Sequence, residues 1–378
     1  MGEHADLALA LESLRRALRE QVVPLLPHMD EAQEFPDSVR GLLTELGLLT
    51  LVVPKAHGGL GSSLTDLCRV IEELARWDAS IAVFVQAHAT ALRPLLLAGS
   101  SEQRRAFFGP VVEQGRLFAF ALTEPHAGSD AAAIAARAEP AGDDHVLSGR
   151  KRFVTNGGIA DYYLAFARTG PGRKGLSAFV VPARSPGLSV GKRENKMGLR
   201  ASPTTDLFLD GVRIPAAHRI GAEGQGFALL TATLTASRPT IAAQAVGLAQ
   251  GALDTAVRYA MEREQFGQPI GSFQGIRFML AEMATAVEAA RALLYRAAAC
   301  HDEGVPSPAL SAMAKLFASD TAMRVTTDAV QILGGYGYLK DYPVERFMRD
   351  AKVTQIFEGT NQIMRLVIAK DLLGRSRE

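Results

Sequence analysis

The spacing of apolar residues changes twice along this 378-residue chain, and those two changes restrict its architecture more than any other property. From Leu7 to about Phe118, apolar residues recur three and four apart, as in Leu42, Leu43, Leu46, Leu48 and Leu49 or Val70, Ile71, Leu74 and Trp77, the spacing of amphipathic helices. Proline and glycine break the pattern at VVPKAHGGLGSS. Between about Ala119 and Glu223 the chain turns to short runs rich in aromatic and branched residues, YYLAFA, LSAFVVP and TDLFLDGVRIP, bounded by Gly, Pro and Asp. After the GAEGQG turn, from Phe227, helical spacing returns, with Ile276, Leu280, Met283, Val287, Ala290 and Leu294 on one stripe. The pattern predicts an α+β chain: an all-α domain at residues 1–118, an antiparallel β domain at 119–224 and a helical bundle at 225–378. Breaks at QFGQPIGSFQ, near 266–272, and GGYGYLKDYP, near 334–343, are loops between bundle helices and therefore places to look for ligand contacts. The alanine-rich AAAIAARAEPA (131–141) reads as a helix-prone or connecting stretch.

Charge and cysteine content narrow the classes of function. With 41 basic and 40 acidic side chains the formal charge is +1, so no field gathers nucleic acid or anionic lipid, and any phosphate must be held locally. Cys68 and Cys300 stand far apart without metal-ligand or disulfide spacing, and are expected to be reduced thiols. His88, His126 and His218 likewise lack metal-ligand spacing, and no metal is expected. The opening MGEHADLALALESLRRALRE mixes charge into a helical pattern, unlike a signal peptide or membrane span, which predicts a soluble, cytoplasmic protein.

In IFEGTNQI (356–363), Glu358 is set among a glycine, a hydroxyl and two amides, and is the candidate general base; the bland reading is an exposed acid at a helix start. Arg263 offers a planar cation suited to a diphosphate, and the Gly334–Gly335 pair is a weak phosphate signal by itself. Thr123 and Thr155 taken singly are ordinary strand threonines, and Gly128 and Gly157 are expected at turns of positive φ. Val85, Gln86 and His88 lie on a helix that could border an acyl pocket, but apolar spacing of this kind is more often core, and they are not assigned to the site.

Taken in order, ALTEPHAGSD (121–130), KRFVTNGG (151–158), NKMGLRASPT (195–204), SRPTIAAQAVGLAQGALD (237–254), REQFGQPIGSFQ (263–274), QILGGYGYLKDYPVERFMRD (331–350) and IFEGTNQI resemble the acyl-CoA dehydrogenase family across essentially the whole chain. The resemblance implies a barrel-like middle domain, a C-terminal four-helix bundle, bound FAD, and α,β-dehydrogenation of an acyl thioester to its trans-2-enoyl form. Glu358 would take the α proton while hydride leaves the β carbon for flavin N5. Leu122 and Thr123 would meet the flavin edge, Phe153 would pack near the ring, and Thr155 would hydrogen-bond near N5. Arg263, Phe266, Gln274, Gln331, Gly334 and Gly335 would contact the ADP half of FAD bound largely by a neighbouring subunit, with Thr360 and Gln362 as further cofactor contacts. Ser129, Arg238 and Gly359 would face the substrate, Ser129 also counting among the cofactor contacts. The same resemblance implies a homotetramer built as a dimer of dimers, with an electron-transferring flavoprotein as acceptor.

This chain departs from the family pattern at three positions. Phe153 stands where relatives often have Trp, which keeps a stacking wall without an indole donor. Ser237 occupies the alternative base position used by some relatives and cannot act as a carboxylate base, so the late position, Glu358, is the expected one. Thr235 replaces an acid that often helps hold the CoA end, which opens an acyl-carrier-protein thioester as an alternative substrate. A thioester oxidase also remains open, and a DNA-associated flavoprotein of the same fold is disfavoured by the near-neutral charge.

Overall fold

Long apolar helices followed by short alternating strands fold as their periods require, in a computed structural model that describes residues 2–375. The first third is helical: α1 (Gly2–Ala17), α2 (Leu26–Ala32), α3 (Asp37–Glu45), α4 (Leu64–Trp77), α5 (Ala79–Ala98) and α6 (Ser101–Gln114). Their starts are fixed by side-chain caps. Ser63 and Asp78 accept from backbone amides at the first turns of α4 and α5, and Ser100 with Gln103 forms a reciprocal capping box on α6. Helix α5 is apolar around most of its circumference because it is wrapped by α4, α7 and β1. By length and composition it would cross a bilayer, but 78% of the qualifying window is buried in the protein, as in the core helix of a folded domain.

Eight strands follow: β1 (Phe118–Ala121), β2 (Arg137–Ala141), β3 (Asp144–Thr155), β4 (Tyr162–Arg168), β5 (Leu176–Pro182), β6 (Leu188–Arg193), β7 (Thr204–Pro215) and β8 (Arg219–Ile220). They form one sheet in the order β6-β7-β3-β2-β4-β5-β8, with β1 added beside β4. Pairing is antiparallel except where β4 meets β1 and β2. β1 enters the sheet directly from the helical domain, so no hairpin dictates its direction. The alanine-rich connection is not helical throughout: a single 3₁₀ turn, Ala131–Ala133, gives way to β2, whose pairing with β3 overrides the local helix preference of alanine.

The last part contains α7 (Gly226–Glu262), α8 (Gln274–Asp302), α9 (Pro308–Leu333), α10 (Val344–Thr354) and α11 (Asn361–Arg375). α9 lies at its centre, in contact with all four others. α4 of the first domain crosses α7 closely, which explains the glycines of GLAQG. A Cβ at Gly247 would stand 2.2 Å from the Glu72 carbonyl oxygen, and one at Gly251 2.3 Å from that of Arg76.

The three domains meet around the end of α10. Arg349 donates to Asp30 Oδ2 at 2.7 Å and to the Met197 carbonyl at 3.0 Å, and Asp350 Oδ1 accepts from Leu199 N at 2.6 Å. The NKMGLRASPT and RFMRD motifs therefore tie the sheet and the first domain to the helix that precedes Glu358. Burial, with Asp78 nearby, pushes the Asp350 carboxyl above its usual range.

Candidate active site

Helix α10 ends at Thr354 and α11 begins at Asn361, and the turn between them carries Glu358. The turn is left-handed at two successive residues, with φ 54° at Glu358 and 99° at Gly359. A glutamate at positive φ is costly unless its surroundings hold it, and such strain gathers at functional sites. The holding groups are specific. Lys315 on α9, fully buried, donates from Nζ to the Gly359 carbonyl at 2.8 Å and to Asn361 Oδ1 at 2.9 Å. Asn361 also donates to Ser319 Oγ and Asp320 Oδ1, and Gln355 Nε2 donates to Asp320 as well. Thr360 Oγ1 accepts from Ile363 N, capping α11 and leaving its own proton free to donate.

Within this frame the Glu358 side chain turns inward, so the exposed helix-start reading does not hold. Ser237 Oγ donates to Glu358 Oε2 at 2.6 Å, and Gln86 Nε2 reaches Oε1 at 3.4 Å. The residue at the alternative base position is thus the hydrogen-bond partner of Glu358. Burial pushes the Glu358 carboxyl above its ordinary value, outweighing Ser237, Gln86 and the charges of Arg238 and Lys315, all of which pull the other way. Gln86 is itself buried and also reaches Thr90 and Thr240. Arg238, 8% exposed, lies inside the protein beside Glu358 with its Nε unpartnered, and burial lowers its pKa. Thr235 spends its hydroxyl on the Thr231 carbonyl one turn back in α7.

The sheet carries a second set of candidate residues. Lys151, fully buried, donates to Glu124 Oε1 at 2.7 Å and to the Leu122 carbonyl at 3.2 Å. Glu124 further accepts from Ala135 N and Ala136 N, so this pair fixes the ALTEPH segment against β3. Burial alone would raise the Glu124 carboxyl, but Lys151 and the two amides win and hold it low, while burial lowers Lys151 to about 8. The Thr123 carbonyl accepts from Arg152 N at 2.7 Å. A bulge in β3 between Lys151 and Val154 places Phe153 at φ 57° and presents its ring 58% exposed, with the Arg152 guanidinium 4.6 Å above it. Thr155 pairs with Thr204 of β7 and is half-buried, whereas Ser129 stands exposed beyond the turn.

The expectation of positive φ at Gly128 and Gly157 is not met. The left-handed residues here are Phe153, Asn156 and Gly158. Gly157 is required for a different reason, since a Cβ there would sit 2.1 Å from Thr205 Oγ1. His88 is structural: its Nε2–H donates to the Leu49 carbonyl and its Nδ1 accepts from Phe118 N, both at 2.9 Å, and burial pushes its pKa down to about 4. Among the described residues no group of His, Cys, Asp and Glu is arranged to hold a metal.

The remaining candidates lie elsewhere. At the end of α7, Glu264–Gln265 (β9) and Gln268–Pro269 (β10) form a small hairpin whose turn, Phe266 and Gly267, is left-handed at both residues, φ 53° and 77°. Phe266 is 92% exposed. The Arg263 guanidinium lies 5.4 Å from the Tyr336 ring, and Arg263, Gly334 and Gly335 line one open groove of about 500 Å³ with Tyr259 and Leu339. Gly334, at φ 60°, closes α9 by donating to the Gln331 and Val330 carbonyls. Gln274 and Gln331 are exposed, as is Gln362 back at the start of α11. The 25 residues from Arg238 to Arg263 on α7 cover about 37 Å, so the two groups of candidates are far apart on one chain.

Taken by their chemistry, the exposed aromatic face of Phe153, the hydroxyl proton of Thr360 and the ordered backbone at Leu122 and Thr123 suit an isoalloxazine ring. The second group suits a diphosphate, with the Arg263 guanidinium and the bare backbone of Gly334 and Gly335 lining one groove.

Family models for the acyl-CoA dehydrogenase N-terminal, middle and C-terminal domains match residues 5–114, 119–212 and 224–373. The chain is 47% identical to cyclohexane-1-carbonyl-CoA dehydrogenase of Geobacter metallireducens, over 97% of each. It superposes on butyryl-CoA dehydrogenase from Megasphaera elsdenii with a TM-score of 0.94 at 40% identity, covering 97% of this chain and 98% of that one. A structure solved in work titled for the electron transferring flavoprotein of Acidaminococcus fermentans aligns with a TM-score of 0.95 at 42% identity, covering 97% and 98%. The chain belongs to the acyl-CoA dehydrogenase family. It is an FAD-dependent oxidoreductase that introduces a double bond between the α and β carbons of an acyl-CoA.

Ser237, Gln86, Lys315 and Asn361 are the site residues that sequence reasoning did not assign. A signal for Lys315 was present: a lysine stands in the stripe of Ser311, Ala318, Ser319 and Ala322, small residues that are all buried.

Proposed function

We propose that Glu358 is the general base that removes the α proton of a CoA thioester. The carrying observation is its carboxylate, enclosed on a left-handed turn and grasped by Ser237 and Gln86. A carboxylate with a raised pKa is a stronger base, and desolvation by an acyl chain acts in the same direction. Donors aimed at the thioester oxygen stabilise the developing enolate, each by roughly 3 to 4 kcal/mol. When bound, FAD supplies the hydride acceptor for the β carbon. Leu122, Thr123, Phe153, Thr155, Thr360 and Gln362 would hold its ring end, while Ser129, Arg238 and Gly359 border the substrate. Arg238, buried, acts there through charge.

Two of the relatives named above are dehydrogenases of CoA esters, which favours CoA over acyl-carrier protein as the carrier. Electrons would leave to an electron-transferring flavoprotein. The chain would act as a homotetramer, a dimer of dimers. Two features support this: the distance between the ring-side and phosphate-side residues, and exposed apolar side chains along the last helices and their loops, including Phe266, Phe278, Phe317, Tyr338, Leu366 and Leu373. In such an assembly Arg263, Phe266, Gln274, Gln331, Gly334 and Gly335 would complete the cofactor site of another copy.

Anaerobic loss of the oxidised-flavin absorbance, measured with straight, branched and cyclic acyl-CoAs beside the same acyl groups on a carrier protein, tests the reading. Bleaching by CoA esters is expected; bleaching by the carrier-bound forms alone would overturn the choice of carrier.

A further inference from the structure

We infer that Lys315 is a positioning residue for the catalytic base, acting as a buried cationic clamp that fixes the Glu358–Gly359 turn and supplies the countercharge to the Glu358 carboxylate. The inference rests on the assignment of Glu358 as the base. Lys315 has no exposed surface, and the two oxygens that accept from it, Gly359 O and Asn361 Oδ1, are both uncharged. A buried ammonium with neutral partners is costly. The charged groups that face it are Glu358 from the turn, Arg238 from α7 and Asp320 on its own helix, with Glu358 the strongest influence among them. Its amine is pushed down to about 7, chiefly by burial, and Glu358 opposes that fall.

The arrangement explains a local conflict. A glutamate at φ 54° followed by a glycine at φ 99° leaves the Gly359 carbonyl directed into the bundle, where an unpaired acceptor would be penalised. Lys315 satisfies that carbonyl and, through Asn361, the first residue of α11. Its charge favours the ionised form of the base before reaction. Once the α proton has moved to Glu358, the same charge faces a neutral carboxyl and remains near the thioester, where negative charge has developed.

The test uses the FAD-loaded enzyme and the pH dependence of anaerobic flavin bleaching by an acyl-CoA. Lys315→Met keeps the length and removes the charge and donors. The acid limb of the profile should move up by about one pH unit, and the plateau rate should fall about 100-fold through loss of alignment. Asn361→Asp places a carboxylate against an intact lysine. It should move the acid limb the same way, and it decides the question if Lys315→Met does not fold. A purely structural lysine would lower the Tm and leave the limb in place, and that result would overturn the inference. The Glu358 carboxyl band in pH-difference infrared spectra, identified by its loss in Glu358→Gln, gives the same shift without turnover. Wild-type enzyme that bleaches with no thioester would defeat the assigned reaction, while the infrared titration would still judge the link between Lys315 and Glu358.

Discussion

Around Glu358 most polar side chains find partners inside the chain, Ser237 and Gln86 on the carboxylate and Lys315, Asn361 and Asp320 behind the turn. Around Arg263 the candidates stand in solvent: Phe266 is 92% exposed, Gly334 and Gly335 present open backbone, and the arginine rests on a tyrosine ring. The first region is held by contacts within one copy. The second is an open surface, which in the proposed assembly another copy would cover. Binding energy is therefore expected to divide between them in different ways, through chemistry at one and through retention of cofactor and assembly at the other.

Removing the base breaks the first region without touching the second. Glu358→Gln keeps the shape and should cut the bleaching rate by about 10³ to 10⁴, with FAD content and oligomer size unchanged by absorbance and light scattering; loss of cofactor in this variant would show that the regions are not separable. The converse change, Arg263→Ala, should weaken FAD retention by about 10- to 100-fold in equilibrium dialysis while holoenzyme formed at saturating FAD turns over normally. An unaltered FAD affinity would remove the arginine from the cofactor site.

Acid should also distinguish the buried region. His88 is held neutral, with a folded pKa of about 4. Its share of stability is complete above the unfolded value near 6.5 and is lost as pH falls from there toward 4, about 3 kcal/mol in all. In His88→Asn the fall in Tm between pH 7 and 4.5 should be shallower than in wild type, whatever the constant offset. Equal slopes would mean that other groups dominate. The smallest effect is expected from Ser237→Ala, which deletes one donor to the carboxylate: the acid limb should rise by about half a pH unit and the plateau rate should fall a few-fold. A change in FAD affinity there, with no shift in the limb, would place Ser237 in the wrong region.

The architecture was legible because apolar period is a direct record of which face meets the core, and both changes of period fall where helices and strands exchange. Glu358 and Arg263 were singled out through their motifs. What escaped was set by tertiary contact. AAAIAARAEPA carries helix formers, but strand β3 recruits its second half into the sheet. Gly157 looked like a residue of unusual φ and is instead a residue of unusual closeness, squeezed by Thr205. Phe153 takes the positive φ because a bulge forces it. Lys315 and Gln86 sit within apolar helices, where a polar letter does not identify its partner 44 or 272 positions away.

Helix α7 runs unbroken from Gly226 to Glu262 with Arg238 beside the base and Arg263 at its end. A helix advances about 100° for each residue, so one residue inserted between these two arginines would leave the base and its partners whole yet swing the outer arginine through more than a quarter turn. The count of residues in this helix is in that sense a phase condition. In the proposed assembly two copies would complete each other only while both keep it, and the cofactor's two ends would be matched by the length of a rod that touches the chemistry at one end alone.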